Sequence, residues 1–131
     1  MNSFHLDIVT PDGTFFDGEA EKVLVRTIVG DVCILARHTE YVTALGLGQA
    51  KVVVDDVPRK AACMGGMLTV SGGKVKIVAT TFEWAEDIDL DRAQKAKLRA
   101  EEILANKTDD KSAQLAEARL KRALVRIGTL E

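Results

Sequence analysis

The sequence predicts a mainly β protein with an α-helical tail: an N-terminal antiparallel β-sandwich of about eight to ten short strands, then a two-helix antiparallel hairpin. Three observations carry this expectation. Up to Glu83, apolar residues recur at alternate positions and turn residues interrupt them every ~8–12 residues, the pattern of strands and tight turns. After Trp84 there is no proline, the only glycine is Gly128, and alanine, leucine, lysine, arginine and glutamate dominate, which favours helix. No helix-length segment separates the strands, so parallel strand–helix–strand units are excluded. With 131 residues, the chain divides into a sandwich over 1–84 and a helical hairpin over 85–131.

The first strand is read from Phe4, Leu6 and Ile8 alternating with His5 and Asp7. Thr10-Pro11-Asp12-Gly13 turns the chain, with proline presetting φ and glycine accepting a positive one. Phe15 and Phe16 open a return strand ending near Asp17-Gly18. Lys22–Ile28 is the next strand, a turn is expected at Gly30-Asp31, and Val32–Leu35 runs back. Thr43–Leu47 reads as a short apolar piece and Ala50–Val54 as a separate strand. Asp55-Asp56 closes a hairpin into Val57–Cys63, where Pro58 suggests an edge. Gly65-Gly66 is expected to bend the chain before Met67–Val70, and Ser71-Gly72-Gly73-Lys74 is a hairpin signal into Val75, Ile77 and Ala79.

The changeover from strand to helix falls in Phe82–Ala93. Its acids Glu86, Asp87, Asp89 and Asp91 suit the unpaired N–H groups and positive dipole end of a helix N-terminus. The first helix is expected from Leu90 to about Ala105, with Ala93, Ala96, Ala100 and Ile103 as a narrow stripe. Asn106-Lys107-Thr108 breaks it, and Thr108 or Asp109 caps the second helix. There Ala113, Ala116, Leu120, Ala123 and Ile127 form a coiled-coil-like seam, with Gly128 expected just past its end. A buried leucine contributes about 1.5–3 kcal/mol and an alanine far less, so the hairpin is weakly held.

Composition excludes several functions. Net charge is −2, with 8 basic and 10 acidic residues over 1–83 and 10 of each over 84–131. Nucleic-acid binders carry a basic excess with stacking aromatics, and neither is present. Cys33 and Cys63 lack any CxxC spacing and lie in apolar runs, so both are expected buried and reduced, without a disulfide framework or a zinc site. Asp87, Asp89 and Asp91 form no convincing Mg²⁺ cage, no nucleophile–base pair is evident, and no enzyme is expected. No leader and no ~18-residue apolar run point to a membrane span.

The tail carries the candidate chemistry. Arg92 and Arg99 share a face of the first helix with Lys95 between them, and Arg119, Arg122 and Arg126 share a face of the second. In an antiparallel hairpin these guanidiniums converge near Asp89. Arginine forks match phosphate oxygens, and a nearby carboxylate can orient them or accept from a ribose or base. Cap, dipole and i,i+4 pairing (Glu117 with Lys121) offer a purely structural account of the same charges.

Certain motifs go further. Val9-Thr10-Pro11-Asp12-Gly13, Gly65-Gly66-Met67-Leu68-Thr69-Val70 and Ile88-Asp89-Leu90-Asp91-Arg92-Ala93 resemble the opening turn, central strand and Ile/Leu-Asp-x-x-Arg-Ala motif of bacterial F-type ATP synthase epsilon subunits. The resemblance runs along essentially the whole chain. It implies ATP as a regulatory ligand, held by Glu83, Ile88, Asp89, Arg92, Ala93, Arg99, Arg122 and Arg126. It also implies a non-catalytic rotor subunit, peripheral on the cytoplasmic face of the cell membrane, with the gamma subunit and the ring of c subunits as partners. The tail would be a brake that meets the catalytic alpha/beta head when extended, and ATP would favour the folded form. A free-standing ATP sensor outside the rotary complex is the alternative. Ala36-Arg37-His38 departs from the family's Pro-Gly-His, and His38 is read as a loop-structuring residue.

Overall fold

A computed structural model describes residues 2–106 and 109–131. Strand and helix content follow the expected order: β1 (Phe4–Thr10), β2 (Gly13–Ala20), β3 (Lys22–Thr27), β4 (Gly30–Leu35), β5 (Tyr41–Val54), β6 (Val57–Ser71), β7 (Lys74–Ala79) and β8 (Phe82–Trp84) precede α1 (Leu90–Ala105) and α2 (Asp110–Thr129). The spatial order is β2-β1-β7-β6-β5-β3-β4, with β8 also on β6. Residues from opposite ends of this order share one core, Leu6, Ile8 and Ile77 with Val23, Ile34 and Trp84, so the sheet closes on itself as a sandwich.

Four strand-level expectations need correction. Thr43–Leu47 and Ala50–Val54 are one 14-residue strand, β5, and the segments on either side of Gly65-Gly66 are one 15-residue strand, β6. The glycines mark no break. Gly65 and Gly66 sit at φ 91° and 136°, which bends β6 while its ladder with β5 continues. The β3–β4 turn falls at Ile28-Val29, since Gly30 and Asp31 already pair with Thr27 and Arg26. The sandwich is not wholly antiparallel: β1 runs parallel to β7 over His5–Val9 and Lys74–Val78. Hydrophobic alternation fixes which face a residue occupies and leaves the direction of its neighbour open.

Pro58 behaves as its chemistry requires. It pairs with Val53 on β5, while β8 covers only Ala61–Cys63, so no second partner needs the missing N–H. Asp55 and Asp56 turn the β5–β6 hairpin at φ 51° and 64°, a region short acidic side chains tolerate. Cys63 is buried as expected, whereas Cys33 is exposed, because it alternates with the buried Ile34 and so takes the outer face of β4.

Both helices start at aspartates. Asp89 accepts from the Arg92 backbone N–H at 3.1 Å, and Asp109 accepts from Ser112 at 2.6 Å. Thr108, the other expected cap, lies outside the described residues. The second helix does not end at Gly128 but runs through it to Thr129, and Gly128 has no positive φ. Its lack of a side chain serves packing instead: a Cβ there would lie 3.3 Å from Nε2 of Gln49 on β5. α2 lies on β5 and β6, and α1 packs along α2. Ala62 and Met64 of β6 and Ile88 form a small apolar cluster with Val125 and Leu130 beside the main core. In the helix–helix seam Ala93, Ala100, Ala116 and Ala123 are buried, but Ala96 is exposed.

Candidate functional site

The alanine seam decides the shape of the site. Because Ala96 and Ala100 are short, α1 and α2 leave between their long charged side chains a cleft of about 440 Å³. Arg92, Lys95, Arg99, Arg119, Arg122 and Arg126 line it, with Ala96, Ala100 and Ile103 as its apolar wall. Among the described residues no carboxylate lines it. Lys95 pairs with Asp91 at 3.1 Å, an exposed i,i+4 pair. Among the described residues, Arg92, Arg99, Arg119 and Arg122 form no ion pair.

A second cavity of about 300 Å³ adjoins the first and shares Arg92, Ala96 and Arg126 with it. Its remaining wall is Glu83, Asp87, Asp89 and Ala93, so carboxylates face it. Glu83 sits on β8 and takes a hydrogen bond from Arg126 Nε at 2.7 Å, with both side chains about 30% exposed. This pair ties the end of the sandwich to the last turns of α2. Together the cavities offer a cationic end for phosphate-like anions and a mixed end with acceptors for hydroxyl or amino groups.

The sequence-derived site residues are mostly brought together. Arg92, Arg99, Arg122 and Arg126 face the larger cavity, and Glu83, Asp89, Arg92, Ala93 and Arg126 face the smaller. Ile88 is the exception. Its side chain is buried against Ala62, Met64, Val125 and Leu130 and lines neither cavity. Asp89 has a double position, since the same carboxylate that faces the smaller cavity caps α1. Lys95, Arg119 and Asp87 complete the lining. The spacing of Arg119 from Arg122 and Arg126 placed it on the right face, and Lys95 lies between Arg92 and Arg99; only the family pattern omits them. His38 has the expected loop role, with Nδ1 2.8 Å from the Thr39 carbonyl and its ring 5.7 Å from Tyr41.

Residues 3–85 match the β-sandwich domain of the ATP synthase delta/epsilon chain, and residues 86–131 match the long α-helix domain of the same chain. The chain belongs to the ATP synthase delta/epsilon chain family. The ATP synthase epsilon chain of Alkaliphilus metalliredigens is 42% identical over 97% of this chain and 95% of its own length. That of Caldicellulosiruptor bescii is 37% identical over 100% and 96%. Epsilon chains are non-catalytic subunits of the complex, in keeping with a site built of arginines and caps. The fold is shared at low identity by a chain of the Euglena gracilis mitochondrial ATP synthase, TM-score 0.88 at 21% identity, covering 98% of this chain and 82% of that one. A chain from the Tetrahymena thermophila mitochondrial ATP synthase central stalk and c-ring gives 0.63 at 16%, covering 97% and 96%. Among the described residues no helix is long and apolar enough to cross a membrane.

Proposed function

We propose that this epsilon-type subunit sits in the central stalk, couples proton flow to ATP synthesis through gamma and the c-ring, and restrains ATP hydrolysis through an ATP-responsive tail. The observation that carries the ligand is the cleft whose charged lining is entirely cationic, Arg92, Lys95, Arg99, Arg119, Arg122 and Arg126. Packing these cations together is unfavourable without an anion, and a triphosphate bridging α1 and α2 relieves the repulsion. The neighbouring carboxylate-lined cavity suits the ribose or base. Binding therefore holds the helices together on the sandwich. In the absence of ATP the tail extends toward the catalytic alpha/beta head. The ring and gamma would be engaged by the sandwich, making the subunit peripheral to the cytoplasmic face of the membrane.

Ligand at ten times its Kd stabilises the bound state by roughly 1.4 kcal/mol, and at a hundred times by about 2.7. Those magnitudes redirect the tail only if its two positions differ by a few kcal/mol, as the alanine seam allows. Calorimetry on the whole chain tests the site. Arg92→Ala and Arg126→Ala should each weaken ATP roughly ten- to over a hundred-fold, the worth of a charge-assisted hydrogen bond. Asp89→Ala should also weaken it, through a lost acceptor and a lost helix cap. Unchanged affinity in all three would return these residues to cap and surface roles. Co-purification with gamma distinguishes the rotor subunit from a free-standing ATP sensor.

A further inference from the structure

The β6–β8 ladder stops at Ala61 and Trp84, and the chain then makes a 3-10 turn over Ala85–Asp87. At that point one side chain replaces the ladder. Arg59, two residues along β6, lays its guanidinium over the Trp84 ring, 3.8 Å from the centroid. Its in-plane Nε, at 3.1 Å, and a terminal NH₂ both donate to the Glu86 carboxylate. A planar guanidinium can use its face on the indole and its edge on a carboxylate at once; an ammonium cannot. Trp84 in turn packs on Phe15 and Phe82, with ring centroids 5.3 and 5.7 Å away. Up to Asp87 the junction is thus fastened to the sandwich by contacts of its own, alongside the Glu83–Arg126 pair that reaches α2.

Beyond Asp87 the situation reverses. Asp89 caps α1 and moves with that helix. Only Ile88 lies between, extended at φ −80° and ψ 127°. Its burial relies partly on Val125 and Leu130, which belong to the tail.

We infer that Arg59 is a positioning residue that fixes the junction through Asp87, keeping Glu83 presented to the cavity, and that the helical hairpin pivots at Ile88. The pivot rests on the reading of the tail as movable; the clamp does not. The test uses the full-length chain, whose single tryptophan, Trp84, reports the clamp. A second reporter is the Ile88 amide, which donates to the Ala85 carbonyl at 3.1 Å.

Arg59→Gln should change Trp84 emission, speed Ile88 amide exchange roughly tenfold or more, and weaken ATP binding, with Arg59→Lys restoring only part of each. Val125→Asp should move the hairpin away from the sandwich, read by a distance probe between Cys33 and α2, while Trp84 emission stays as in the wild type; Ile88 packs on Val125 itself, so its exchange is read only in the Arg59 variants. Unchanged Ile88 exchange in Arg59→Gln sinks the clamp. A changed Trp84 emission in Val125→Asp with Arg59 intact shows that the docked helix holds the junction, and also overturns it. A hairpin that stays docked in Val125→Asp overturns the pivot and the movable tail together, while the Arg59→Gln result still decides the clamp.

Discussion

Glu86 shows how one carboxylate can report on the junction. Its own backbone N–H and then the Arg59 guanidinium hold its carboxyl below the usual value of 4.5. A depressed carboxylate contributes stability that is full above the unfolded value and disappears as pH falls through the lowered one. Trp84 emission should therefore stay flat from neutral pH down to about 4.5 and change only below it, and Arg59→Gln should abolish that acid transition. The cysteines make a second residue-scale prediction. Burial pushes the Cys63 thiol up to about 11, so it stays protonated and unreactive at neutral pH. Cys33 is exposed, and a thiol reagent should modify it alone until the protein unfolds. Arg37 occupies the left-handed region at φ 64°, where a Cβ is disfavoured and glycine is not. Arg37→Gly should leave the fold intact and raise stability by up to about 1 kcal/mol in a denaturant titration.

Elements were legible where a local signal exists. The Asp55-Asp56 and Gly72-Gly73 turns and the limits of α1 follow from side-chain chemistry within a few residues, and the structure has them where the sequence puts them; of the four acids expected at the start of α1, Asp89 is the cap. The two long strands and the parallel β1–β7 pair were not legible, because glycine pairs within a ladder look like breaks and strand direction leaves no local trace. Gly66 makes the distinction measurable. A Cβ there would stand 2.0 Å from the Val78 carbonyl oxygen, at a φ of 136°, so Gly66→Ala should separate β6 from β7 and cost about 3 kcal/mol or more in a chemical melt. Gly128 is the contrast. Its tight neighbour is the end of the flexible Gln49 side chain, and a helical alanine gains up to about 1 kcal/mol over glycine. Gly128→Ala should be close to neutral, whereas Gly128→Phe should lift α2 off β5, seen as faster exchange of α2 amides. At the site, the arginine faces were readable from helical spacing. The burial of Ile88 was not, since it depends on Met64 and Val125 meeting across the fold.

For the whole molecule, the large core lies entirely within residues 4–84, and the apolar cluster that the tail shares with the sandwich is the small one around Ala62 and Met64. A fragment ending at Trp84 should unfold cooperatively on its own, with Ala62 and Met64 newly exposed; a broad, non-cooperative melt would refute this. The parallel pairing of β1 with β7 has a further consequence for the order of events during synthesis. Leu6 faces Val75 and Ile8 faces Ile77, so the first strand waits for nearly the whole sandwich to be made before it gains a neighbour on that side. Such long-range closure slows folding and leaves an edge of β1 open meanwhile. When Lys74–Ala79 clears the ribosome, much of the alanine seam is still inside the exit tunnel. The sandwich therefore closes around a chain whose helices do not yet exist, and the nascent protein passes through a tailless state before the cationic cleft can form.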